Sequence, residues 1–407
     1  MLRTSALFAT TLAAAAGPLA SEAAAQSSAY TPTGIGMGGF RLFPILDLGV
    51  GYTSNVFADS VNEQSDIRYT INPSLRLASE WSTHALNFYF SAPAELHGDF
   101  ESQNKVDLIG SVDGQLDVSR TFNLTANASY ADAYETLADS PSTVITPTPI
   151  HYSHSKLGLG AEKTFNRVSL TAGFATETYD FEDERDFNGV LIEQDDRDHT
   201  MLGAAVRAGY SISPATSFFV EGRYHKFDYD LIPPAVFVNR DSDGYEALAG
   251  VAFEVSNLIT GEVSAGYLTQ SYDQPGVENS DGVAAHARVR WQPDALVGVT
   301  FEADREIQAG GAVASISNTV TQLDFGLDYA FRRNVEVGLG VKYRIDDYTG
   351  IDREDDRWGY DASVAYYFNR GFGLFTTVGH DKQSTSGVNF GREFDVTYAE
   401  VGIRLRR

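Results

Sequence analysis

From Ile67 to Leu77 the odd positions carry Ile67, Tyr69, Ile71, Pro73, Leu75 and Leu77, while the even ones carry Arg68, Thr70, Asn72, Ser74 and Arg76. Successive side chains of extended backbone point to opposite sides, so this two-residue period predicts a strand with one apolar and one polar face. The period recurs at Leu86, Phe88, Phe90, Ala92, Ala94 and Leu96, set against Asn87, Tyr89, Ser91, Glu95 and His97. It runs again through Val106, Leu108, Val112, Leu116 and Val118, against Lys105, Asp107, Ser111, Asp113, Gln115 and Asp117. Late in the chain Val335, Val337, Leu339, Val341, Tyr343 and Ile345 oppose Glu336, Gly338, Gly340, Lys342, Arg344 and Asp346. Followed throughout, the pattern predicts about 18 strands, each with the roughly 9–11 residues a tilted membrane strand needs. No segment offers a 3.6-residue apolar stripe.

The connections alternate too. Tight turns fall at 80–83, 119–121, 165–167, 213–215, 256–257, 293–294, 332–334 and 369–371. Longer polar stretches lie between them at 54–65, 98–103, 136–150, 181–198, 230–242, 272–281, 308–317, 346–357 and 383–392. Short turns at one end and long loops at the other predict an all-β, transmembrane, antiparallel up-and-down β-barrel with periplasmic turns and extracellular loops. The sheet must close, because an open edge in hydrocarbon would leave backbone groups unpaired.

A soluble sandwich also alternates, and aromatic placement separates the two. On the apolar face Tyr52, Tyr69, Tyr130, Tyr224, Tyr245, Tyr267, Tyr343, Trp358 and Tyr360 fall near long-loop ends. Phe122, Tyr210, Phe218, Phe253, Trp291, Tyr329, Phe331, Tyr366, Phe368 and Phe372 fall near tight turns. Ala, Val, Leu and Gly fill the space between. Two aromatic belts around an aliphatic band suit a bilayer, where ring side chains sit at headgroup level, and a sandwich core has no cause to produce them.

Residues 1–25 have Arg3, an apolar run from Ala6 to Ala16, and Ala23-Ala24-Ala25 before Gln26, the layout of a secretory signal peptide. Pro18 and Glu22 interrupt the run before the roughly 18 apolar residues of a membrane helix. Residues 26–39, polar and Gly-rich, read as a flexible periplasmic leader, and 40–407 as the barrel. The expected location is the outer membrane of a Gram-negative bacterium, beside lipopolysaccharide. The 407 residues carry 30 Lys plus Arg against 55 Asp plus Glu, a net charge of −25, which repels a nucleic-acid partner. With no cysteine, disulfides, thiolate metal sites and cysteine catalysis are excluded.

The stretch Pro44-Ile45-Leu46-Asp47-Leu48-Gly49-Val50-Gly51-Tyr52-Thr53-Ser54-Asn55-Val56-Phe57, with Ser65-Asp66, Asn72-Pro73-Ser74-Leu75 and Trp81-Ser82-Thr83-His84, resembles the putative β-barrel porin 2 family. That family includes barrels found with exopolysaccharide export systems. The resemblance therefore implies a porin-like or polysaccharide-export channel, working in the second case beside periplasmic export proteins.

A barrel of this size leaves a lumen wider than side chains fill, so the polar faces become candidate pore lining. The candidates are Arg68, Arg76, Arg207, Arg223, Arg288, Arg290, Lys342 and Arg344, with Glu302, Asp304, Asp324 and Asp328. Opposed charged walls would favour polar solutes; the competing use is cross-strand pairing that stiffens the wall. The third long loop, 136–150, is a candidate constriction and equally a stiff exposed loop. Glu182-Asp183-Glu184-Arg185-Asp186 and Asp352-Arg353-Glu354-Asp355-Asp356 suggest divalent cations next to lipopolysaccharide phosphates, but nothing fixes ligand spacing and a solvated acidic rim is favoured. No metal or other cofactor is assigned. His97, His225 and His286 face inward without a sequence-local partner, so no enzyme is expected. A general diffusion porin and a non-conducting structural or adhesive barrel are the alternatives to export.

Overall fold

The computed structural model describes residues 30–140, 146–230, 239–255, 258–310, 312 and 315–407. The signal-peptide expectation, and the turn at 256–257, lie outside them. The strands are β1 (Phe40–Thr53), β2 (Asp66–Ser79), β3 (His84–Ser91, resuming at Ala94–His97), β4 (Lys105–Val106 and Leu108–Ser119), β5 (Phe122–Glu135) and β6 (Ile150–Phe165). They continue as β7 (Val168–Phe181), β8 (His199–Ser213), β9 (Thr216–Tyr229), β10 (Ser242–Val255), β11 (Ile259–Tyr272) and β12 (Ser280–Trp291). The last six are β13 (Val297–Ala309), β14 (Ser317–Arg332), β15 (Val335–Thr349), β16 (Glu354–Tyr367), β17 (Phe372–Ser386) and β18 (Phe394–Arg406).

Each strand pairs antiparallel with its sequence neighbours, and β18 returns to β1 with Ile45 opposite Arg406 and Thr53 opposite Tyr398. The result is a closed 18-stranded barrel. Closure removes both sheet edges, which satisfies the backbone without water. Among the described residues no helix is long and apolar enough to cross a membrane, a finding that says nothing against crossing by strands.

The outer surface follows the predicted face. Val50, Leu75, Phe90, Leu116, Leu159, Val206, Val220, Val283, Leu339 and Val401 are exposed on it. Tyr52, Tyr69, Tyr130, Tyr245, Tyr267, Trp358 and Tyr360 are exposed towards the long loops. Tyr210, Phe218, Trp291, Tyr329, Phe331, Tyr366 and Phe368 are exposed towards the turns. The tightest turns join strands across two residues, as at Asn166-Arg167, where Phe165 faces Val168 and Asn166 takes φ of 54°. Asn tolerates that left-handed conformation better than most residues, and it matches the twist of the flanking strands.

The leader departs from expectation. Ile35–Met37 pairs with β1, Ile35 opposite Leu42 and Met37 opposite Phe40, across a Gly38-Gly39 turn with Gly38 at φ of 65°. The Gly content that reads as flexibility supplies the turn. Arg41 Nη1 donates to Thr33 O at 2.7 Å and Arg406 Nη2 to Tyr30 O at 2.7 Å, tying residues 30–39 to the barrel rim. The eighth long loop is also shorter than predicted, since β15 runs to Thr349 and β16 starts at Glu354. Its acidic run is therefore partly strand, with Asp355 buried against Arg353 at 2.5 Å.

The inner face is not uniformly polar. Leu248 of β10, Leu268 of β11 and Ala284 of β12 form a buried apolar cluster with Ile307 of β13. Strand β12 pairs with β13 only from Ala285 opposite Arg305 down to Trp291 opposite Val299. Beyond Arg305, β13 stays paired with β14 as far as Ala309 opposite Ser317, and β14 stays paired with β15 as far as Ser317 opposite Thr349, so the ladder is interrupted only between β12 and β13.

Candidate channel lumen

The predicted pore-lining residues divide into two groups by depth. Nearer the tight-turn end, Arg288 and Glu302 sit opposite each other on β12 and β13, 3.2 Å apart, with side chains 50% and 42% exposed. On the same face Arg290, Arg76 and Asp328 make no ion pair with any described residue; Arg76 lies over the Phe43 ring at 4.6 Å. Charged side chains this open on the inner face require water around them, because an unpaired charge in an apolar interior is prohibitively costly.

Higher up, the charges are consumed by one another. Arg207 of β8 donates to Glu221 and, with both Nη groups at 2.7 Å, to Glu262 of β11, while stacking on Phe219 at 4.0 Å. Arg223 of β9 donates to Glu221 at 2.5 Å and to Glu246 at 3.4 Å, and reaches His286 Nε2 at 3.1 Å. His286 Nδ1 in turn lies 3.0 Å from Asp304. This chain of alternating charge follows from strand geometry: same-face residues of neighbouring strands are within reach, and opposite charges there attract. Glu221 is almost wholly buried, and two guanidinium donors offset its desolvation.

The remaining candidates pair on other strands. Arg344 donates to Asp346 at 2.6 and 2.7 Å and to Gln308 at 3.1 Å. Asp324 accepts from Gln322 at 2.6 Å and faces Lys342 in register. Arg68 donates to Glu95 at 3.1 Å and approaches the Tyr398 ring. His97, read as lacking a local partner, has one two residues away: Glu95 lies at 3.3 Å, and Asp66 at 3.3 Å from the other ring nitrogen. Strand alternation puts i and i+2 on one face, which was the available signal. His225 sits 2.6 Å from Gln270, a contact across two strands with no sequence signal.

The mouth at the long-loop end is crossed from two sides. Asp139, in the third long loop, reaches Arg357 on the inner face of β16 at 3.2 Å, so that loop spans the opening; its residues 141–145 lie outside the described set. Gln103 donates to Pro147 O at 2.6 Å, binding the second long loop to the third. From the other side Gly310 O accepts from Tyr229 Oη at 3.3 Å and Ala312 O from Arg240 Nη2 at 3.3 Å. Arg240 also bonds Asp196 in the fourth loop. Arg240 lies in a loop, where no alternation marks it as buried.

The acidic loop run at 182–186 is spent on local bonds. Glu182 pairs with His151 at 2.9 Å, Asp183 accepts from Gln194 N at 2.7 Å, Glu184 from Thr148 at 2.8 Å, and Asp186 from Asn188 N and Val190 N at 2.8 Å. Among the described residues no group of three or more His, Asp or Glu side chains is arranged to hold a metal ion.

Comparison with known proteins gives the following. Among solved structures the fold is similar to the siderophore receptor PiuA from Acinetobacter baumannii, at TM-score 0.47 and 11% identity over 91% of this chain and 82% of that one. It is similar to the copper transporter OprC at 0.47 and 9%, over 92% and 82%. It is similar to OpdL from Pseudomonas aeruginosa at 0.42 and 10%, over 91% and 99%. All three likenesses are distant. None of the curated proteins matches the sequence. The family described as putative β-barrel porin 2 matches residues 28–407. With nearly the whole chain matched and the barrel closed strand by strand, the protein is an outer-membrane β-barrel that belongs to the putative β-barrel porin 2 family.

Proposed function

We propose that this barrel is a channel for hydrophilic solutes in the outer membrane of a Gram-negative cell, with the open, charged half of the lumen as its selectivity region. The observation that carries the reading is the state of Arg288, Arg290, Glu302 and Asp328. They stand on the inner face, and Arg288 and Glu302 are about half exposed although paired. A wall meant only for rigidity would consume such charges as the Arg207–Glu221–Arg223 chain does. The inward histidines support a non-enzymatic role, since their partners are wall carboxylates, Arg223 and Gln270. Polymer export with periplasmic partners is carried by the family resemblance; loss of a surface polysaccharide on gene deletion, with solute uptake unchanged, would favour it over diffusion.

Reversal potentials in planar bilayers test the channel. Arg288→Glu with Arg290→Glu should shift selectivity toward cations, because a charge beside a narrow aqueous path is weakly screened. Arg207→Glu should instead lower the yield of folded barrel, since it places a third carboxylate between Glu221 and Glu262. An unchanged reversal potential in a conducting double variant would remove these residues from the selectivity region.

A further inference from the structure

We propose that the inner face beside the seam between β18 and β1, at the turn end of the lumen, binds the oxyanion group of a small organic solute, a carboxylate or a phosphate. Arg76, Tyr89 and Arg406 hold the anion over an apolar floor of Phe43 and Ile45. Its use as a capture point for solutes entering the barrel rests on the channel reading above; the site itself follows from contacts and register.

Arginines stacked on rings recur along this lumen, and their remaining donors decide what each can do. Arg207 on Phe219 gives both Nη groups to Glu262. Arg404, 5.7 Å from the centre of the Phe375 ring, gives Nε and Nη2 to Asp47 and Nη1 to Tyr367. Arg76 differs: its guanidinium lies 4.6 Å from the centre of the Phe43 ring and makes no hydrogen bond or ion pair with any described residue. Arg406 lies 3.5 Å from the centre of the Tyr367 ring and gives Nε to Arg370 O and Nη2 to Tyr30 O, which leaves Nη1. The carboxylates at this end of the seam are taken, Asp47 by Arg404, Glu80 by Arg41 and Glu336 by Tyr367. A guanidinium held flat on a ring has its plane fixed and its edge donors free, which suits two-pronged recognition of a carboxylate or phosphate.

Register brings these groups to one place. Tyr89 of β3 stands directly opposite Arg76 of β2, and its hydroxyl likewise makes no hydrogen bond with any described residue. Arg76 is opposite Phe43 of β1, and Arg406 of β18 is opposite Ile45. The two arginines therefore flank β1 two residues apart, about 12 Å between Cα atoms at ordinary strand spacing, a gap that two extended arginine side chains span. Between them Phe43 and Ile45 interrupt the inner face of β1, which continues as Asp47, Gly49, Gly51 and Thr53. The leader also holds the Phe43 ring, since a Cβ at Gly34 would lie 2.9 Å from it, and the φ of 66° there suits glycine. Free donors around an apolar floor match a solute with one anionic group and a flat, largely uncharged body. In a chain of net charge −25, two stacked cations without carboxylate partners locally offset the repulsion such an anion meets.

Titration calorimetry on the folded full-length barrel in detergent, at low salt, tests the site with glucuronate, glucose 1-phosphate and glucose as probes. At least one of the two anions should bind about tenfold more tightly than glucose, and which one does so identifies the oxyanion. Arg76→Gln, which keeps a stem over Phe43 and removes the cation, should weaken that anion about tenfold. It should leave the yield of folded barrel unchanged, since Arg76 makes no hydrogen bond or ion pair within the barrel. Tyr89→Phe should weaken the same anion several-fold without changing charge. In planar bilayers the anion should block the potassium chloride current of the wild type more strongly than that of Arg76→Gln. Anion binding no tighter than that of glucose, or equal in Arg76→Gln, would overturn the site, and a persisting conductance would then leave the channel standing. Tight, Arg76-dependent binding by a barrel with no conductance would overturn the channel reading and the capture role with it, and leave the site in place.

Discussion

Arg404 and Asp47 face each other across the seam where the last strand meets the first, joined by two bonds of 2.8 and 2.7 Å between guanidinium and carboxylate. The two residues are 357 positions apart in sequence, so this contact exists only in the closed barrel. Its fork geometry fixes the register as well as the approach, since a slip of one residue would turn Arg404 towards lipid. Tyr367 Oη, 3.4 Å from Arg404 and donating to Glu336 at 3.0 Å, extends the seam contact to β16.

Removing one partner of this pair should cost about 1.5–3 kcal/mol, the range for a hydrogen bond to a charged group, with the lower end favoured because the Arg404 side chain is 31% exposed. Asp47→Ala and Arg404→Ala should each lower the guanidinium midpoint of refolding into liposomes. The double variant should be less destabilised than the sum, by a coupling energy of about 0.5–3 kcal/mol. Strict additivity would show that the pair does not hold the seam.

The assignment of faces yields a second expectation. Leu339 of β15 is exposed on the outer surface opposite Leu327 of β14, and Asp328, one residue on, is exposed on the inner face. Leu339→Arg should destabilise the barrel in a bilayer by about 2–4 kcal/mol, the depth-dependent range for a cation in mid-membrane. Asp328→Arg should change stability little, as it exchanges one hydrated charge for another. Gly338 is a poorer probe, because a Cβ there would lie 2.6 Å from Ser363 Oγ and report crowding as well as polarity. Tryptophan fluorescence during refolding measures both variants, and equal penalties would mean the faces are reversed.

These contrasts explain what the sequence made legible. Alternation is a property of neighbours, so it located every strand from Ile67–Leu77 onward, the outward face and the aromatic belts. Partner choice depends on register around a closed ring, and no local pattern encodes that Arg404 meets Asp47 or that Arg207 reaches Glu262 three strands away. The parting of β13 from β12 beyond Arg305 was hidden for a sharper reason. Glu306, Ile307, Gln308 and Ala309 alternate like any wall strand, and the pattern is the same whether or not β12 is paired beside them. The apolar inner platform was the available clue, since Leu248 and Leu268 break the polar phase of β10 and β11, but a lone pair of leucines does not say what covers it.

The fourth long loop gives a pH-dependent prediction outside the membrane. Burial pushes the Asp198 carboxyl up to about 6, against the opposing effect of the Phe181 amide that donates to it at 2.7 Å, with Asp180, Asp195 and Asp230 adding repulsion. Its folded value lies above the ordinary carboxylate value of 3.8, so between these two pH values the folded loop binds more protons than the unfolded one. Loop stability should therefore fall as pH rises from about 4 to about 6 and level off above, the reverse of a carboxylate held by cations. Asp198→Asn keeps an oxygen to accept from Phe181 and cannot ionise, so it should flatten this dependence and leave the loop better protected at pH 7. Hydrogen exchange of peptides spanning 182–198, corrected for intrinsic rates and compared at pH 4.5 and 7, provides the measurement. Protection in the wild type that rises with pH over that interval would mean the Phe181 bond outweighs burial and that Asp198 fastens the loop as an anion.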